Sequence, residues 1–150
     1  MGKILIRSIF TSIAGFVFSI LLLLAELGLD SIYSADMNRA TVGILVVPLF
    51  AAGIPFLVTD SISRHIARRK LSGKDALIGS ICSSLLYIIL MIFAFGVVAD
   101  TAPVVDLMPN REMAGGYMVL LMQIFAAIAA GINMIIASAV HLFGGTGRTS

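Results

Sequence analysis

Four long apolar stretches, separated by short polar segments, set the pattern of this chain. They cover about residues 4–26, 41–62, 75–99 and 117–143. A bilayer core about 30 Å thick is crossed by about 20 helical residues, so each stretch reads as a spanning helix. The expectation is an all-α integral membrane protein, a single domain over residues 1–150, built as a four-transmembrane-helix bundle.

Each stretch has an internal pattern. In the first, Ser8, Ser12, Gly15, Ser19 and Glu26 recur at helical spacing on one face, while Phe10, Ile13, Phe16, Val17 and Ile20 occupy the others. Helices in lipid attract one another through close packing at small residues, because apolar burial does not favour protein over lipid. The small face is therefore the inward one. In the second stretch Pro48 and Pro55 share a face with Ala52 between them. Each proline removes an amide donor and frees the carbonyl four residues back, so a kink turned toward the bundle is expected. In the third, Ser72-Gly-Lys-Asp75 has the form of a capping box opening a helix. The first stretch also resembles a secretory leader, but Ser8 to Ala25 is 18 residues, longer than the usual apolar core of about 7–15. An uncleaved helix is expected.

Composition reinforces the pattern. The chain is 59% hydrophobic and 12% charged, where a soluble domain has about 45–50% and about 25%. Charge placement then gives direction. Residues 64–74 form a basic connector holding Arg64, Arg68, Arg69, Lys70 and Lys74, half of the 10 Lys and Arg residues. Lys3, Arg7 and Arg148 fall on the same side, whereas Arg39 and Arg111 lie opposite with six of the 8 acids. By the positive-inside rule the connector and both termini are cytoplasmic, which in a chain of this type points to a bacterial inner membrane.

A shift of 72 residues lays Ser8-Ile-Phe-Thr-Ser12 over Ser80-Ile-Cys-Ser-Ser84 and Asn38-Arg39 over Asn110-Arg111. The implied organisation is a parallel tandem repeat of two helical hairpins, related by a twofold axis along the membrane normal.

The chemistry-bearing residues are few. Gln123 and Asn133 lie at membrane depth on the fourth stretch. With Ser83, Pro48 and Pro55 they make either a polar pathway or a packing seam of interhelical hydrogen bonds. Glu26 and Asp60 are expected at opposite membrane edges as interfacial ion pairs, Asp60 with Arg64 four residues on. The connector cations are candidates for binding anionic lipid headgroups or a cytoplasmic partner. His65 and His141 fall at cytoplasmic helix ends, His65 among arginines, and no metal or cofactor is read from them. The lone Cys82 excludes an internal disulfide and reads as a packing residue. With short loops and no catalytic constellation, neither an enzyme nor a nucleic-acid binder is expected. The leading functional expectation is an accessory or scaffolding subunit of a larger membrane complex. The alternative is a small oligomeric transporter or channel.

Overall fold

A computed structural model describes residues 2–33, 37–67, 72–99 and 114–144, with side chains for 2–26, 50–67, 72–97 and 119–143. These residues form four helices: α1 (Gly2–Tyr33), α2 (Met37–Ala67), α3 (Gly73–Ala99) and α4 (Ala114–Gly144). Helices run past the apolar stretches at most ends, because a helix satisfies its own backbone and can continue into the polar zone. The Ser72 cap forms as expected: its Oγ accepts the Asp75 amide at 3.2 Å, and its carbonyl accepts Ala76 N–H at 3.0 Å. Among the described residues three helices hold a segment long and apolar enough to cross a membrane, over Gly2–Glu26, Gly73–Val97 and Val119–Phe143. The side chains of residues 37–49 in α2, Pro48 included, lie outside the described residues.

The helices alternate in direction. Arg7 and Thr11 meet Ser63, while Gly15 meets Phe56. Asp60 meets Ser83, while Ala52 meets Tyr87. Around the bundle the order is α1, α2, α4, α3: α1 packs on α2 and α3, α4 packs on α3 and α2, and α2 touches α3 lightly across the centre. A twofold axis along the bundle would put α1 and α3 at opposite corners. Here they are neighbours, so the hairpins stand side by side and the expected rotational relation does not hold. The two serine stripes that suggested a repeat pack on each other instead. Ser8 Oγ lies 3.0 Å from the Gly79 carbonyl and Ser12 Oγ 2.8 Å from the Ser83 carbonyl. Small side chains let α1 and α3 come close enough for these bonds.

The interior has two layers. One is apolar, with Phe16, Leu23, Phe56, Met91, Phe95, Met122 and Ala126 around Tyr87, whose ring stacks on Phe56 at 4.1 Å. The Tyr87 hydroxyl donates to the Ala52 carbonyl at 2.5 Å and lies 2.8 Å from Ser19 Oγ. That bond falls one residue beyond the Ala51 carbonyl, which Pro55 leaves without its helical donor. Tyr87 thus ties α1 and α3 to the proline turn of α2. Tyr87→Phe should cost about 0.6–1.7 kcal/mol, the range for hydrogen bonds between membrane helices, measured by reversible unfolding in mixed micelles. The second layer, toward the connector end, is polar. Outside both, Phe10, Val17, Phe93, Val97, Ile128 and Ile135 are exposed. An exterior more apolar than part of the interior suits lipid as the solvent.

Candidate functional site

The polar layer is centred on Asp60 and Arg64 of α2. Both lie in the bundle interior, with Asp60 0% exposed and Arg64 7%. The spacing of four places them one above the other on a helix, and Arg64 Nε lies 3.3 Å from Asp60 Oδ2. The remaining partners come from other helices. Ser83 of α3 donates to Asp60 Oδ1 at 2.7 Å, and Asn133 Nδ2 of α4 donates to Asp60 Oδ2 at 3.0 Å. Asn133 Oδ1 accepts from Arg64 Nη2 at 2.9 Å, and its amide also reaches Ser84 Oγ at 3.0 Å. The amide of Asn133 therefore bridges the ion pair, giving to the carboxylate and receiving from the guanidinium. Asn133 has no exposed surface.

Depth along the helices distinguishes this cluster from an edge pair. Ser83 is ten residues inside α3 and Asn133 eleven inside α4, about 15 Å from those helix ends at ~1.5 Å per residue. Asp60 was expected at the membrane edge. The pairing with Arg64 is present, and both side chains turn to the bundle interior beside Ser83 and Asn133.

A second cation lies next to the pair. Arg7 of α1 donates from Nε to Ser63 Oγ at 2.7 Å, and Thr11 Oγ1 donates to the same oxygen at 2.9 Å. Arg7 Nη1 is 3.5 Å from the Ala76 carbonyl, and the guanidinium lies within electrostatic reach of both Asp60 and Arg64.

The other expected residues are dispersed. Gln123 is half-buried and directed at the Met91 and Ile92 carbonyls of α3, at 3.4 and 3.3 Å. It is ten residues, or about 15 Å, from Asn133 and does not share its cluster. Pro55 is half-buried, with its carbonyl accepting from Thr59 Oγ1 at 2.6 Å. Glu26 is half-buried, and among the described residues its buried Oε2 has no hydrogen-bond partner; the side chains of Arg39 and Arg111, on the same side by charge, lie outside the described residues. Lys74 is exposed, Arg68, Arg69 and Lys70 lie outside the described residues, and Arg64 belongs to the interior instead of the connector surface. Among the described residues no three His, Cys, Asp or Glu side chains are gathered as a metal site would need.

Arg7, Thr11, Ser63 and Ser84 were not among the residues expected at a site. The usable signal was periodic: Arg7 is one residue before Ser8 on the small stripe of α1, and Ser84 is one after Ser83. The class these features define is an all-helical bundle with a charged, hydrogen-bonded interior, in which, among the described residues, three helices are long and apolar enough to cross a membrane. No family model, curated protein or solved structure matches the chain.

Proposed function

We propose that this bundle is a small, non-enzymatic transporter or channel that works as an oligomer and passes a small charged or polar solute along the seam of α2, α3 and α4. One observation carries the reading: Asp60, Arg64 and Asn133 form a closed, buried network about 15 Å inside α3 and α4. Withdrawing an ion pair from water costs several kcal/mol per ion and is often not repaid by the attraction. Ionisable groups kept inside membrane helices mark pathways and relays far more often than packing. In this reading α2 is the fourth span, and the side carrying Lys3 and the connector faces the cytoplasm of a bacterial inner membrane. The connector then meets anionic headgroups, each cation adding about 1 kcal/mol.

Flux of protons, potassium and chloride through reconstituted vesicles tests the proposal. Asp60→Asn keeps the shape of the side chain and should slow transport roughly tenfold, the effect of ~1.4 kcal/mol on a barrier. Absent flux in the wild type, or flux unchanged in the variant, would sink it.

A second reading is supported by a different feature. Ile124, Ile128, Ile132 and Ile136 form an exposed stripe on α4, spaced as for packing against another helix. It supports an accessory or scaffolding subunit seated on a larger membrane complex. Purification in mild detergent separates the two readings, since a scaffolding subunit retains a partner chain and loses it in Ile128→Asn.

A further inference from the structure

The second cation of the polar layer, Arg7, shares its nearest acid with Arg64. Arg7 is half-buried, and among the described residues it feels one acid, Asp60, which Arg64 already pairs, and the like charge of Arg64 itself. A buried charge without compensation is costly and normally draws a counter-charge.

Two donors in this part of the bundle, one on Arg7 itself, are also unused among the described residues. Among the described residues the buried atom Arg7 Nη2 has no hydrogen-bond partner, and neither has Ser80 Oγ on a side chain that is 0% exposed. Buried donors of this kind are rare, because each loses its water bonds without replacement. Arg7 Nη1 lies 3.5 Å from the Ala76 carbonyl, one helical turn before Ser80 on α3. Arg7 Nη1 lies 2.8 Å from where a Cβ on Gly79 would stand, so Gly79 is what lets the guanidinium settle on α3. Ser80 is the next residue, on the face that also carries Ala76 and Ser83. Ser80 and Arg7 Nη2 both offer hydrogens, and Ser63 already receives two.

We infer that Arg7 and Ser80 form a site for a singly charged anion, held by N–H and O–H donors between α1 and α3 at the connector end of the bundle. The anion gives Arg7 a counter-charge of its own. Two sources share this chemistry, a free halide and the phosphate of an anionic lipid headgroup. The inference deepens the transport proposal by naming the solute class, but binding can be tested without flux.

The test is thermal unfolding of the delipidated, detergent-solubilised chain. Chloride is titrated against gluconate at constant ionic strength, and phosphatidylglycerol against phosphatidylcholine in mixed micelles. A ligand that binds only the folded state raises Tm progressively with its concentration. Chloride or phosphatidylglycerol should raise Tm in the wild type. Ser80→Ala, which removes one hydroxyl, and Arg7→Gln should each weaken the apparent affinity about tenfold or more, as expected for losing ~1.4 kcal/mol. Arg7→Lys keeps the charge and should retain part of the response.

A response to chloride assigns the site to a free anion. A response to phosphatidylglycerol alone, lost in both variants, assigns it to lipid phosphate. Equal Tm in all four conditions, or responses identical in wild type and Ser80→Ala, would overturn the inference. Cation or proton flux combined with no anion response would overturn the inference while leaving the transport proposal standing.

Discussion

Arg64→Leu should destabilise the bundle by about 3–5 kcal/mol, because it leaves the Asp60 carboxylate buried without its cation. Asp60 would keep Ser83 and Asn133 as donors, so the loss is set by the missing charge more than by missing hydrogen bonds. The informative variant is the double one. Replacing a buried ion pair by apolar residues of similar volume is often neutral or stabilising, by about 1–4 kcal/mol. Asp60→Leu with Arg64→Leu should therefore recover most of the stability lost in the single variant. Asn133 will limit that recovery, since its amide loses both the carboxylate it donates to and the guanidinium it accepts from. Unfolding in mixed micelles measures the recovery. If the double variant is as unstable as the single, the network itself holds the helices together and its retention needs no transport explanation. If the double variant is stable but carries no flux, the charges are there for function.

Gly15→Leu should cost about 1–3 kcal/mol, the range for forcing extra methylenes into a close-packed interior. A Cβ at position 15 would lie 3.0 Å from Phe56 Cδ2 and 3.2 Å from Phe56 Cα. The first contact can be relieved by a ring movement, but Phe56 is stacked on Tyr87, so that movement disturbs a second helix. The second is with backbone, and only separating α1 from α2 relieves it. The same separation would pull Arg7 and Thr11 from Ser63, two turns further along. Unfolding of Gly15→Ala and Gly15→Leu side by side checks this, with the alanine variant expected to fall between glycine and leucine. Equal stability across the three would show that α1 and α2 are held less closely than these distances indicate.

The apolar lengths, the small-residue stripe of α1 and the Ser72 cap were legible in the chain because each is local. Helical periodicity and a hydrogen bond across three residues need no knowledge of neighbouring helices. The Asp60–Arg64 pairing was legible for the same reason, since four residues make a turn. Its burial was not. Whether such a pair faces water or the interior depends on what lies opposite. Opposite Asp60 are Ser83 and Asn133, which are 23 and 73 residues away along the chain.

The neighbour order of the helices shows the same limit. The serine stripes at an offset of 72 suggested two hairpins exchanged by rotation. In the bundle the stripes are the contact surface between α1 and α3, with Ser12 against the Ser83 carbonyl. Likeness of two segments and contact between them leave the same trace in a single sequence, and only packing separates the two. Gln123 and Asn133 likewise looked like members of one polar line on α4. The neighbouring helix divides them, Gln123 going to carbonyls of α3 and Asn133 to the ion pair.

By itself, then, the sequence determined that the chain forms long helices apolar enough to cross a membrane, because hydrophobicity and helical period are properties of contiguous residues. The tertiary structure decided where the charges go. It buried Asp60, Arg64 and Asn133 from two helices together and set the half-buried Arg7 of a third beside them. The physical reason is that the burial of a charge is set by its partners, and those partners are distant in the chain.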